Sequence, residues 1–204
     1  MTSAAEPVGV LDGLVARVLS QYPYRFSVPT TPRERNIAYH IRYQAIVQDG
    51  WVPPEAFADG LERDDLDDDA VQILGWDGES PICTGRLVLP PAPLPTEQAS
   101  GVHIEPRGQV VDVGRMAVVP DYRSYRSAAF IALLCRLYLE MRNGGFQVAC
   151  GMMSARVRTL TRQLGLQLET LGPDVHYWGE LRTPVRFALL ANAQSLDGRW
   201  RGTE

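Results

Sequence analysis

Two stretches of this sequence concentrate the residue types that do chemistry. The first, Glu62-Arg-Asp-Asp-Leu-Asp-Asp-Asp69, is dense in carboxylates. If it is helical, Asp64 and Asp67 share one face; otherwise the run is an ordinary solvated acidic loop. The second is a junction. Gln109–Pro120 alternates and is rich in β-branched residues, which predicts a half-buried strand. Asp121-Tyr-Arg-Ser-Tyr-Arg126 follows, and then Ser127–Leu139 has the apolar density of a buried helix. A helix start leaves N–H groups unpaired and carries partial positive charge. With Arg123 and Arg126 beside it, this turn suits a phosphate. The alternative is a plainly capped helix with solvated arginines. Arg115, Arg123 and Arg126 lie close together, a clustering that fits a small anionic ligand or an acidic partner. His40, His103 and His176 show no metal-ligand spacing and read as structural or surface residues, so no metal is expected.

The totals frame these sites. The chain has 204 residues, which suggests one compact domain, with residues 1–30 as an N-terminal helix and first strand and 31–204 as the main body. A net charge of −4 argues against a nucleic-acid partner. Cys83, Cys135 and Cys150 make an odd count without paired spacing, against disulfide scaffolding and zinc. No signal-peptide pattern is visible, and no apolar run approaches the roughly 20 residues that span a bilayer. The expectation is a cytoplasmic protein without a membrane span.

The elements that must position these residues are read from periodicity. Residues 8–19 predict an amphipathic helix, Tyr24–Val28 a strand, and Thr31-Pro32 opens a helix ending near Asp49-Gly50. A short helix follows Pro53-Pro54, through Phe57 and Leu61. Val71–Trp76 and Pro81–Leu89 flank Asp77-Gly78 as a hairpin. Pro90–Pro95 reads as an extended loop. After the 109–119 strand and the 127–142 helix come strand Phe146–Gly151, a helix at 154–164, strand Leu166–Leu171 and a final strand Val185–Leu190. The order predicts α/β, an α+β mixed sheet too rich in hairpins to be doubly wound.

This order, with a phosphate-ready turn after the long strand, resembles the GNAT acyltransferase superfamily, here with an extra N-terminal helix. In that family the turn grips pyrophosphate through Arg/Gln, two residues, Gly, one residue, Gly/Ala. Arg123-Ser124-Tyr-Arg126-Ser127-Ala128 matches at both ends and has Arg126 in the glycine's place. Ser154–Gly165 also lacks the tyrosine many GNAT acetyltransferases use as an acid. Within the superfamily the chain resembles the acyl-homoserine-lactone (autoinducer) synthases and the N-acyl amino acid synthases. The ordered motifs are Arg42, Trp51, Glu62-x-Asp64-x-x-Asp67, Gly85-Arg86-Leu87, Asp112-Val-Gly114-Arg115, Arg158–Gly165 and Leu171-Gly-Pro173, covering roughly residues 35–180. Ile46, Asp112 and Gly114 stand where those synthases usually carry phenylalanine, glutamate and, in many, serine.

The resemblance implies transfer of a fatty acyl group from acyl-carrier protein or acyl-CoA, as an acyl-phosphopantetheine thioester, to a small-molecule amine acceptor. No permanently bound cofactor is implied; S-adenosylmethionine is possible as acceptor. A free α-amino group has a pKa of about 7.7–8.0 and is mostly protonated at neutral pH, so a base is useful. Asp112, on the long strand, is the first choice and Glu62 the second carboxylate of the catalytic pair; a structural ion pair with Arg86 or Arg115 is the other reading of Asp112. Arg42, Trp51, Asp64, Asp67, Arg86 and Arg115 are expected to form the amine pocket. Met116 and Val118 backbone N–H groups would polarise the thioester carbonyl, and Arg123, Ser124, Arg126, Ser127 and Ala128 would hold the donor phosphate. Met152, Met153, Leu133 and Leu137 line an acyl tunnel or form plain core. Two rivals remain: lactone formation from S-adenosylmethionine, and a GNAT-shaped protein that binds without catalysis.

Overall fold

The sheet grows from one antiparallel hairpin. In the computed structural model, which describes residues 5–123 and 128–201 (side chains of 8–123 and 128–195), β2 (Val71–Asp77) and β3 (Ser80–Val88) pair antiparallel across a turn where Gly78 has φ +55°. That conformation is the one glycine adopts without a Cβ clash. β1 (Arg25–Ser27) adds to the outer side of β2, and β4 (Val110–Val118) to β3, both antiparallel. β5 (Val148–Ser154) then joins β4 in parallel, and β8 (Glu180–Ala188) joins β5 antiparallel. The short strands β6 (Glu169–Thr170) and β7 (Val175–Tyr177) both pair with β8. Parallel strands need a crossover, and α4 (Ala128–Asn143) supplies it between β4 and β5.

Helices cover both faces, as the alternation of the strands requires. Ala129, Leu133, Leu137 and Met141 of α4 bury against Ile73, Ile82, Leu87, Val111 and Ala149. On the other face α2 (Pro32–Gln48) packs Ala38, Ile41 and Ala45 on Leu74 and Ala117. The Thr31 cap and Glu34 form a reciprocal capping box that fixes the start of α2. α1 (Ala5–Ser20) lays Leu11 and Val15 on Leu189 and Ala193 of α6 (Leu189–Arg201). α3 (Pro95–Ser100) and α5 (Ala155–Gln163) complete the set. Among the described residues no helix is long and apolar enough to cross a membrane.

The mixed α/β expectation holds, with four local corrections. Pro95 is not the end of an extended loop: it opens α3, where its missing N–H costs nothing. The short helix after Pro53 is a single 3-10 turn, Pro54–Ala56. The strand expected at Leu166–Leu171 is only two residues long, and β7 was not anticipated. The last strand runs from Glu180, and the chain from Leu189 onward is helix rather than strand. Arginines and Pro184 mask the alternation of β8, while α6 is helical because Leu189 and Ala193 find α1 to pack on.

One irregularity shapes the molecule. Arg115 has φ +51°, and the β3–β4 register shifts between Thr84 and Arg86. Before this bulge Val111 and Val113 join the α4 cluster; after it Met116 and Val118 do, so the side-chain parity flips. The β4–β5 ladder covers only Val110–Asp112 against Val148–Cys150, although both strands run on. Where they begin to part, a Cβ at Gly151 would lie 2.7 Å from the Val113 carbonyl oxygen, a contact with backbone that has little room to yield. Gly151→Ala is expected to cost about 1–3 kcal/mol, read as a lower urea midpoint with unchanged slope.

Candidate active site

The parting of β4 and β5 opens a cavity of about 730 Å³. Its walls come from α2, the loop after it, β3, β4, β5, α5 and the β7–β8 hairpin, and they include Arg42, Glu62, Arg86, Asp112, Arg115, Met116, Val118 and Arg123. Antiparallel pairing alternates, and Val119 N–H donates to Ile82 O on β3. The backbone groups of Val118 therefore face the edge that β5 has left. There the Val118 carbonyl accepts from Arg123 Nε at 2.6 Å.

Behind one wall sits an ionic cluster. Arg42, on the inner face of α2, is 2% exposed and reaches Glu62 through Nε and Asp67 through Nη1 and Nη2 at 2.8 and 3.0 Å. Arg86 on β3, equally buried, donates to Asp64 at 2.6 and 3.2 Å and to Asp67 at 2.8 Å. Gln72 adds a bond to Asp67 at 2.6 Å. The bulge aims Arg115 into the same group: Nε to Glu62 at 3.1 Å, Nη2 to Asp64 at 2.9 Å, Nη1 to the Tyr177 hydroxyl at 3.2 Å. Its guanidinium lies 4.3 Å from the centre of the Trp178 ring.

The acidic run folds as it does because its carboxylates serve its own backbone. Asp64 caps a 3-10 turn, Asp65–Asp67, accepting from Leu66 N–H, while Asp67 accepts from Asp64 N–H. Asp64 and Asp67 are thus brought together as expected, by a turn instead of an α-helix. They stand behind the cavity wall rather than on it, and Glu62, Arg42, Arg86 and Arg115 are the members that line the space.

Charge follows this geometry. Burial raises the pKa of Asp67, but the hydrogen bonds and charge of Arg42, with Arg86 adding to them, outweigh it and hold the carboxyl down at about 2. Burial likewise opposes charge on Arg42, and Glu62 and Asp67 reverse that, lifting its pKa above the ordinary arginine value. Asp112 is the opposite case. It accepts from Thr96 N–H of α3 at 2.7 Å and from the Cys150 thiol at 3.4 Å, and among the described residues no arginine reaches hydrogen-bond distance of it. Burial dominates there and pushes its carboxyl pKa up.

Trp51 closes another side. A Cβ at Gly179 would come within 2.3 Å of its ring, so the indole rests on bare backbone, and Arg182 stacks on the ring at 4.7 Å. Trp178 and Gly179 both have positive φ, +49° and +74°, forming the two-residue turn between β7 and β8. The residues Tyr177, Trp178, Glu180 and Arg182 line the cavity and were not anticipated. The signal was the Trp-Gly pair between Val175-His-Tyr177 and Glu180–Thr183, a hairpin pattern obscured by a bulky residue at a turn position.

Arg123 reaches the cavity rim, but its Nη1 is bonded to Asp49 at 2.8 Å. Ala128 is the first residue of α4; Ser124, Arg126 and Ser127 lie outside the described residues. Of the four residues read as tunnel or core, Met152 lines the cavity, while Leu133 and Leu137 are core residues on the buried face of α4.

No protein-family model and no curated sequence matches the chain. The mixed α/β sheet with helices on both faces nonetheless has a GNAT-like fold, which solved structures share. The chain is similar to the AHL synthase LasI at 15% identity, over 86% of this chain and 95% of that one, with TM-score 0.67. It is similar to BjaI, described as a CoA-dependent acyl-homoserine lactone synthase with SAM and isopentyl-CoA, at 18% identity, 80% of each chain and TM-score 0.62. It is also similar to FeeM, an N-acyl amino acid synthase from uncultured soil microbes, at 16% identity, 81% of this chain and 91% of that one, with TM-score 0.59.

Two outcomes test the cluster. Arg42→Met leaves Glu62 and Asp67 buried with a partner missing and is expected to cost about 3–5 kcal/mol in urea unfolding. Asp67 has a folded pKa below its ordinary value, so its contribution is present above pH 4 and disappears as pH falls toward 2. The stability difference between wild type and Asp67→Asn should therefore be largest near neutrality and shrink across that acid window.

Proposed function

We propose that this protein is an acyltransferase that moves an acyl group from a phosphopantetheine thioester, on acyl-carrier protein or coenzyme A, to the amine of an amino acid or amino-acid-like acceptor. The observation that carries the reading is the single cavity in which the freed edge of β4 meets Asp112 and the arginine–carboxylate wall. An extended pantetheine arm could pair with that edge in place of β5, as a strand would. The thioester carbonyl would then receive N–H groups around Met116 and Val118, fixed in place before the reaction. The start of α4 at Ala128, with Arg123 and the neighbouring Ser124, Arg126 and Ser127 of the sequence, would take the donor phosphate.

The chemistry needs a neutral amine. Asp112 would accept the ammonium proton through water, and its upward pKa shift from burial brings it closer to that task. The amine nitrogen then bonds to the carbonyl carbon, the C–S bond breaks, and the thiolate leaves with a proton. Glu62 has one oxygen on Arg42 and the other on Arg115, so its part is to hold Arg115 and the pocket wall rather than to take a proton. Trp51, Trp178 and Arg115 would shape the acceptor chamber.

A second reading keeps the same transfer and adds ring closure on S-adenosylmethionine, supported by the likeness to LasI and BjaI. Acyl-carrier protein and acyl-CoA donors, each offered with free amino acids or S-adenosylmethionine, separate the two: thiol release occurs in both, methylthioadenosine only with lactone formation. Thiol at background levels with every donor and acceptor would leave a binding protein instead. Asp112→Asn can still accept the Thr96 N–H, so it is expected to keep its melting temperature while kcat falls about a hundredfold or more.

A further inference from the structure

Arg115, one of the residues expected to form the amine pocket, has every guanidinium nitrogen engaged by Glu62, Asp64 or Tyr177. Arg182 differs. It stands on β8 opposite Ser154 of β5 and lines the same cavity. Its ion pair is with Glu180, at 3.0 Å through Nη2, and that glutamate side chain is 37% exposed while the arginine is 17% exposed. Its Nε is buried and has no hydrogen-bond partner among the described residues. A guanidinium offers five donors, and a rim carboxylate shared with solvent satisfies it weakly. Burial is the largest influence on its proton affinity and lowers it; Glu180 and Tyr177 oppose this, and Arg115 adds to it. Arg42 and Arg86, by contrast, are raised by the carboxylates they hold. The stack on Trp51 fixes the plane of Arg182, so the group is pre-set rather than searching.

We infer that Arg182 anchors the carboxylate of the acceptor, so that the cavity selects α-amino carboxylates over amines without an acid group. This deepens the acyl-transfer reading and rests on it for the word acceptor. Asp112 lines the same space, so a zwitterion can direct its ammonium to it while its carboxylate meets the guanidinium. Free amino acids and S-adenosylmethionine share this chemistry.

Binding measured without turnover tests it. The full chain is titrated calorimetrically with each proteinogenic L-amino acid and its carboxamide, and with S-adenosylmethionine and its decarboxylated form. At least one carboxylate ligand should bind about tenfold or more tightly than its carboxylate-free counterpart. Which arm responds tells a free amino acid from S-adenosylmethionine. Arg182→Gln should abolish the difference, and Arg182→Lys should retain part of it. In turnover the same Gln variant should raise KM for the acid with kcat nearly kept. Equal affinities within every pair, no binding across the panel, or a preference that survives Arg182→Gln overturns the inference; should that variant not fold, the wild-type pairs and Arg182→Lys decide. Failure of the acyl-transfer reading is seen separately, as an absence of thiol release in samples whose carboxylate preference has been measured.

Discussion

Burying Arg42 and Arg86 is tolerable only because Glu62, Asp64 and Asp67 are delivered to them, and much of the surrounding chain is arranged to make that delivery. An unpaired buried charge costs several kcal/mol, more than a small domain can carry at one point. The turn at 64–67 therefore has to close on itself, α2 has to present Arg42 inward, and β3 has to place Arg86 beneath it. Arg115 is the third cation, and it reaches the cluster only through the bulge that lifts it out of the strand's alternation. The same bulge ends the regular course of β4, so the ionic wall and the opening beside β5 are two results of one backbone feature.

Asp112 shows why the site is not uniform. It lies on the same strand, three residues before the bulge, yet faces α3 and takes a backbone N–H and a thiol in place of guanidinium groups. Two carboxylates of one strand-and-turn system are thereby pushed in opposite directions, Asp67 toward permanent charge and Asp112 toward the proton. Environments that separate otherwise identical groups are the means by which a single fold provides both a rigid scaffold and a titrating side chain.

Much of this was legible in the sequence where local pattern and tertiary demand agree. The hairpin at Asp77-Gly78, the long strand 109–119 and the helices at 32–48 and 128–143 follow from turn residues and apolar spacing. The association of Arg42, Glu62, Asp64, Asp67 and Arg86 came from ordered motifs rather than from periodicity, since no local rule brings residues 42 and 67 together. What remained hidden depends on partners far along the chain. α6 is helical because it lies on α1, and β8 is a strand because β5, β6 and β7 all pair with it despite its arginines and Pro184. Nothing in 175–182 alone announces that its turn tip meets Trp51.

That meeting of Trp51 with Gly179 separates two properties that enzymes often have to alter together. The Trp51 indole and the Gly179 backbone bound the chamber from outside the charged wall, and the hydrogen bonds of Arg42 and Arg86 go to Glu62, Asp64 and Asp67 instead. Gly179, at φ +74° and against the ring, has no room for a side chain, but the side chain at position 51 can shrink over generations, widening what the hollow admits, while the hydrogen bonds of Arg42 and Arg86 stay untouched. Diversification of ligand size in such a fold is cheap at this one corner and expensive everywhere else around the cavity.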